Sequence, residues 1–338
     1  MTYDALLVLS FGGPEGPDDV MPFLENVTRG RGVPAERLRE VAEHYLHFGG
    51  VSPINAQNRA LVAAVTDDFA AHGIELPVYS GNRNWAPYVG DVVAEMAAAG
   101  VRNALVFVTS AYASYSACRQ YQNDLAGAAS GLGTTAPQLH KLRHYFDHPG
   151  FITPQMDSVA DVVDHIDPDR STIRLLFVAH SVPDAMAAAA GPAGGLYVAQ
   201  LEAAASLVAA AAPGVRWELA FSSRSGPPTV PWLGPDVDEA LRTVAATGAT
   251  DVVVVPIGFV SDHIEVRWDL DVAAAGTAAK LGLRFHRTDP PAADPRFVAM
   301  VRELVVERLD RAAPRRALSA LGPSHDVCPP GCCRVPTR

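Results

Sequence analysis

Short apolar runs alternate with longer alanine-rich segments along the chain. The runs are Ala5–Ser10, Pro77–Ser80, Ala104–Thr109, Arg174–Ala179, Trp217–Ser222 and Asp251–Ile257. Between them lie helical patterns such as Gly90–Ala99, Val198–Ala212 and Val237–Thr247. Strands that are apolar almost throughout, separated by helices, predict a parallel sheet covered on both faces. The fold class that follows is α/β, doubly wound.

The pattern also repeats. LLVLSFGGP (6–14) echoes LLFVAHSVP (175–183), PVYSGNRN (77–84) echoes LAFSSRSG (219–226), and ALVFVTSAYASYS (104–116) echoes VVVPIGFVSDHIE (253–265), in the same order. Two similar Rossmann-like lobes with parallel sheets are therefore expected, 1–150 and 151–311. They join near Asp147-His148-Pro149-Gly150, which has turn composition. The first two runs lie much farther apart in the first half than in the second. The extra chain, about 11–60, follows the first strand and so sits over the crevice where open α/β sheets bind ligands. It reads as an element that covers a substrate. From about Ala312 proline, glycine and cysteine take over, and 312–338 reads as a Cys-rich tail outside the second lobe.

Composition narrows the function. Hydrophobic residues make up 49% of the 338, enough for a sizeable core. The formal net charge of −10 disfavours a nucleic-acid partner, which needs a basic footprint, and a polybasic membrane anchor. Lys141 and Lys280 are the only lysines, so positive charge is almost all arginine, the residue suited to bidentate capture of carboxylates. Asp4 interrupts the N-terminal apolar run and no basic segment precedes it, which predicts a first strand rather than a signal peptide. No stretch approaches the roughly 18 apolar residues of a spanning helix. The expectation is a cytoplasmic monomer without stable membrane association.

Four places carry candidate chemistry. His180 follows LLFVA, where a strand ends and its loop begins, the edge at which such sheets place their sites. An imidazole can bind a metal and exchange protons, although a loop histidine can equally be satisfied by hydrogen bonds alone. GFVSDHIEVRWDLD (258–271) leaves the same edge and gathers His263, Glu265, Asp269 and Asp271. Glu265 and Asp269 share a face if this segment opens a helix, so a proton accepted by one can pass to the other. The bland alternative, an acidic helix start favoured by the helix dipole, is as good for Asp269 and Asp271 but less natural for Glu265 between Ile264 and Val266. Arg29 and Arg31, in Thr28-Arg29-Gly30-Arg31-Gly32, could reach an anionic ligand. Ser52 stands before a proline and offers a hydroxyl. Templates for other enzymes fail: the chain has neither a GxSxG elbow nor a P-loop, and Gly131–Ala136, which formally matches GxGxxA, follows no predicted strand.

Taken together, FVAHSVP (177–183), VPIGFVSDHIEVRWDLD (255–271), SGPPTVPWLGPDV (225–237), LSFGGPEG (9–16), TRGRG (28–32), HFGGVSPIN (47–55) and GNRNWAP (81–87) resemble the ferrochelatases, over residues 4–310 in family order. The resemblance implies two lobes enclosing a porphyrin cleft and insertion of Fe2+, the substrate metal. His180 would face the metal, with Glu265 opposite and His263 and Asp269 supporting it. Ser52 and Tyr121 would contact the porphyrin, and Arg29, Arg31, Arg83 and Asn84 would lie near its propionates. The chain departs from the family at Phe11, where some bacterial members have tyrosine, and at Ala273, where many continue the acidic line.

The tail resembles the subset that carries a 2Fe–2S cluster, with Cys118, Cys328, Cys332 and Cys333 as ligands, although Cys-x3-Cys-Cys is not the spacing of the animal enzymes. Glu15, Asp18, Asp19 and Glu25 occupy the lip that membrane-associated members make apolar. Coproporphyrin III is therefore the expected substrate and protoporphyrin IX the runner-up. A cobalt or nickel chelatase of a related tetrapyrrole and a non-enzymatic haem- or metal-binding protein remain open alternatives.

Overall fold

A computed structural model describes residues 2–166, 170–226 and 229–334. Pro227 and Pro228, inside the 225–237 motif, and residues 335–338 of the tail lie outside them. Two four-stranded parallel sheets form. The first holds β1 (Ala5–Ser10), β2 (Val78–Asn82), β3 (Asn103–Val108) and β4 (Gln138–Lys141) in the order β2-β1-β3-β4. The second holds β5 (Ile173–His180), β6 (Arg216–Ser222), β7 (Asp251–Val255) and β8 (Arg284–Arg287) in the order β6-β5-β7-β8. The two orders are the same, as the sequence echo implies.

Each predicted run forms a strand, with small shifts at the ends. The last run stops at Val255 rather than Ile257 because Pro256 has no N–H to give to the ladder. The edge strands β4 and β8 were not read from sequence. Their sequences, QLHK and RFHR, are polar and largely half-exposed, which is how an edge strand is kept from pairing with another chain. Asp251 anchors β8: its fully buried carboxylate accepts from Arg284 at 2.6 and 2.7 Å and from His286 at 2.9 Å.

The helices that matter for the site are α1 (Val20–Val27), α2 (Ala35–His47), α3 (Pro53–Ala71), α4 (Val89–Ala98), α5 (Gln120–Ser130), α6 (Pro149–Ile166), α7 (Asp184–Ala188), α8 (Leu196–Ala209), α9 (Val237–Ala246), α10 (Ile264–Arg267), α11 (Ala275–Lys280) and α12 (Pro295–Leu309). Helices α1 and α2 and the start of α3 make up the segment 11–60. They pack Val20, Phe23, Leu24, Leu38 and Tyr45 around Ile264, so the inserted chain rests on the element that carries Glu265. One apolar core runs through both sheets: Leu6, Val8 and Phe107 of the first join Leu175 and Phe177 of the second through Phe151 of α6 and Phe297 of α12. The two similar lobes share this interior, and each also packs a core of its own on the other face of its sheet.

The turn between the lobes is buried and polar. His148 Nδ1 accepts from the Gly150 N–H at 3.1 Å, which requires an unprotonated Nδ1 and a neutral ring. Glu303 Oε2 lies 3.2 Å from Nε2 but in poor hydrogen-bond geometry. Burial, reinforced by Arg143 and Arg316, pulls the His148 pKa down to about 3. A base depressed in the folded state contributes stability above its unfolded pKa of 6.5 and loses it as pH falls toward 3. Between pH 7 and 5 the His148 contribution is on the order of 2 kcal/mol. His148→Asn, whose Oδ1 can accept from Gly150, is expected to flatten that part of the denaturation-versus-pH curve. Curves that stay parallel would show that His148 does not titrate on unfolding.

Candidate active site

Strand order delivers His180. It is the last residue of β5, an inner strand, and faces Ser222 of β6 in the ladder. Two hydrogen bonds fix it: the Tyr197 hydroxyl donates to its carbonyl at 2.8 Å, and Nδ1 lies 2.6 Å from the Ser181 carbonyl. A carbonyl only accepts, so Nδ1 carries a proton, and Nε2 is the nitrogen turned to the cleft. Nε2 and Glu265 Oε2 stand 3.9 Å apart. Both side chains are about two-fifths exposed, so they stand in an open cleft.

Glu265 comes from the connection after β7. His263 precedes α10 as its N-cap, and Glu265 lies in the first helical turn, where the helix dipole favours a carboxylate. The helix then widens into a π-helical stretch, Trp268–Ala274, which carries Asp269. Although water reaches Glu265, protein surrounds it on most sides, and this desolvation raises its pKa above the ordinary carboxylate value. His180 and Arg31 oppose the rise and Asp269 adds to it. Desolvation raises Asp269 too, against the hydrogen bond that Ser223 Oγ donates to its Oδ2 at 2.5 Å. His263, edge-on to Phe259, is pulled down to about 3 by burial and then by His180, and so stays neutral. The set is one imidazole with Nε2 toward the cleft, one carboxylate with raised proton affinity and a second acid behind it.

The other sequence candidates fall into two groups. Arg31 is exposed and close enough to influence Glu265, and Arg29 is exposed on the same turn; neither has an ion pair among the described residues. Arg83 is already engaged, paired with Asp124 and stacked 4.5 Å over the Tyr121 ring. Asn84 donates to the Phe11 carbonyl at 3.2 Å. Tyr121 and Ser52 are buried, Ser52 as the N-cap position of α3, against Gly13. Sequence reading missed Ser223, Tyr197 and His44. His44 stacks on Trp268 with ring centroids 3.9 Å apart. Ser223 follows a predicted strand end, which is a usable signal. Tyr197 and His44 sit in helices and carry none.

The cysteines gather although they are distant in sequence. Cys118 lies in a π-helical turn, Tyr115–Arg119, just before α5. Its Sγ is 3.9 Å from Cys328 Sγ, while Cys332 and Cys333 Sγ are 3.8 Å apart. A tetrahedral metal with sulfur bonds of about 2.3 Å separates its sulfurs by about 3.8 Å, so each pair suits one metal ion. Cys333 takes φ 51, a left-handed kink that lets adjacent cysteines converge. The Gly191 N–H donates to Cys333 Sγ at 3.2 Å. Hydrogen bonds from Cys328 and Cys333 pull the Cys118 thiol far below its usual range and push the two donors far above it. His325, with Nε2 3.9 Å from Cys332 Sγ, completes a possible His/Cys/Cys set with Cys328. The residues present therefore fit a thiolate-held metal centre. The tail is docked, not trailing: Leu318 N–H donates to the Asp147 carbonyl, and Ser319 Oγ to the Asp147 carboxylate.

A concavity of about 810 Å³ lies elsewhere, between α8, β6 and residues 319–321. It is wide open and has neither a histidine nor a cysteine in its lining, so the chemistry points to the His180–Glu265 cleft instead.

The family described as ferrochelatase matches residues 3–309. A Streptomyces griseus protein named coproporphyrin III ferrochelatase is 54% identical over 98% of this chain and 93% of its own. One of the same name from Nocardia farcinica is 54% identical over 100% and 98%. A Rhodopirellula baltica protein named ferrochelatase is 48% identical over 99% and 95%. Among solved structures, SirB from Bacillus subtilis with Fe3+ matches with TM-score 0.55 and 14% identity over 91% of this chain and 98% of that one, a likeness of fold.

Close backbone packing sets where His180 stands. A Cβ on Gly258, just past β7, would meet Ala179 Cα at 2.7 Å and Cβ at 2.8 Å. Gly258→Ala is therefore expected to cost about 1–3 kcal/mol in denaturant unfolding. Gly276→Ala in α11, where a Cβ meets nothing, should instead gain about 0.5–1 kcal/mol. If Gly258→Ala is as stable as the parent, β5 and β7 do not approach as closely as described.

Proposed function

The chain belongs to the ferrochelatase family, enzymes that insert a metal into a porphyrin, and on that premise we propose that it inserts Fe2+ into coproporphyrin III to give the iron porphyrin in haem biosynthesis. The observation that carries the residue assignment is His180 Nε2 standing 3.9 Å from the Glu265 carboxylate in an open cleft. Insertion must strip water from Fe2+ and remove two pyrrole protons. The His180 imidazole suits the first task as a transient metal ligand through Nε2. Glu265, whose raised pKa strengthens its hold on a proton, suits the second, with Asp269 and His263 as its support.

A planar ring needs about 3.5 Å of clearance on each face. The 3.9 Å gap therefore opens before the ring lies between the two groups. Arg31 and Arg29, exposed on the turn between α1 and α2, with Arg31 close enough to influence Glu265, are the candidates for propionate capture. Arg83, held by Asp124, would act through Tyr121 or after exchanging partners. Ser52 and Asn84 would form the wall beside Phe11.

The names of the relatives favour coproporphyrin III over protoporphyrin IX. The lip agrees: α1 turns Phe23 and Leu24 inward, while Glu15 pairs outside with Arg59 at 2.6 Å. Among the described residues no helix is long and apolar enough to cross a membrane. We take 1–150 and 151–311 as the two lobes and 312–338 as the tail of a monomeric cytoplasmic enzyme.

With Fe2+ and either porphyrin under anaerobic conditions, absorbance should report faster kcat/KM for coproporphyrin III. His180→Ala and Glu265→Gln should each lower kcat at least ~100-fold with the melting temperature kept. Preference for protoporphyrin IX would overturn the substrate. A Glu265→Gln change confined to KM would make Glu265 a binding contact.

For the tail we propose a 2Fe–2S cluster on Cys118, Cys328, Cys332 and Cys333, supported by the pairing of the sulfurs. When bound, such a cluster supplies one-electron redox chemistry and a cross-link from tail to body. Protein purified anaerobically should be reddish with about two irons per chain, and Cys118→Ser should bleach it as fully as Cys328→Ser. Colourless protein carrying only zinc would assign the centre to a single ion held with His325.

A further inference from the structure

Ser223 is the first residue beyond β6 and has φ 59, in the left-handed region that a side chain makes costly. Glycine would fit there without strain, and the same loop uses it three residues later, where Gly226 takes φ +132. What glycine lacks is the hydroxyl, and Ser223 Oγ donates to Asp269 Oδ2 at 2.5 Å. Ser222 beside it lies opposite His180 in the β5–β6 ladder, with its Oγ 3.3 Å from Ser223 Oγ. The end of the ladder thus supplies both the imidazole and the group that grips the second acid. Around Asp269 stand Glu265 from its own helical segment, His180 from β5, His44 from α2 and these two serines from β6. Of these, Ser223 is the one in a strained backbone.

We propose that Ser223 is a positioning residue for metal insertion: its left-handed backbone exists to aim a hydroxyl at Asp269, fixing that carboxylate where it supports Glu265. The proposal rests on the assignment of Glu265 and Asp269 made above. Strain kept at a functional site against a cheaper residue is the physical signature of such a role.

The test compares Ser223→Gly with Ser223→Ala, using Fe2+ and coproporphyrin III. Glycine relieves the backbone and removes the hydroxyl; alanine removes the hydroxyl alone. Both should lose about tenfold in kcat, the scale of one hydrogen bond to a charged group, with KM within about twofold. Ser223→Gly should melt at or above the parent temperature, and Ser223→Ala should not exceed it. Ser223→Gly combined with Asp269→Asn should be no slower than Asp269→Asn alone, and additive losses would overturn the proposal. So would a Ser223→Gly enzyme that keeps the parent kcat, or one that loses rate and melting temperature together. Glu265→Gln, assayed alongside, separates the two levels. If it collapses while Ser223→Gly is unimpaired, only the positioning role fails. If Glu265→Gln keeps full rate, the underlying assignment fails and this proposal with it.

Discussion

One apolar interior shared by two sheets is the constraint on which the molecule depends. Phe107 and Tyr145 stack at 5.0 Å, and Phe151 and Phe297 meet them edge-on and each other at a tilt, at the point where the lobes touch. Because the core is common, the sheets cannot drift apart without exposing it, and the ends of β1 and β5 stay in fixed relation. A buried ion pair closes the same region: Arg143 grips Glu307 of α12 through two hydrogen bonds at 2.7 and 2.8 Å, both side chains almost fully covered. Such a pair adds little against an apolar replacement, but removing one partner would strand a buried charge.

On this frame the two halves use equivalent positions differently. After β3 the chain enters a π-helical turn bearing Cys118; after β7 it enters α10 and a second π-helical stretch bearing Glu265 and Asp269. Widened turns of this kind recur at functional sites because they re-aim side chains out of helical register. One copy serves the cysteine centre and the other the cleft. The first half also carries the inserted helices, whose Tyr45 and Leu38 pack on Ile264 and so couple the cover to the segment it covers.

The tail extends the same logic across the lobes. Cys118 belongs to the first lobe, while Gly191, whose N–H meets Cys333, follows α7 of the second. Gln200 of α8 links both sides again, accepting from the Ala113 N–H at 2.7 Å and reaching Ser324 at 3.5 Å. A segment with no core of its own is thereby held by polar and sulfur contacts to surfaces that were already rigid.

Local sequence determined the parts whose physics is local. The inner strands β1, β3, β5 and β7 were legible because strands covered on both faces are apolar almost throughout, the edge strands β2 and β6 because they repeat one pattern in both halves, and His180 and Glu265 because a strand end and a helix start place them at one edge. The edge strands β4 and β8 were not legible, since a polar, half-exposed strand has no apolar signature. Pairing of the cysteines, engagement of Arg83 by Asp124, burial of Ser52 and Tyr121, and the grip of Ser223 on Asp269 were decided only by the tertiary structure. Each joins residues tens to hundreds of positions apart, or depends on a backbone angle that residue type alone does not set.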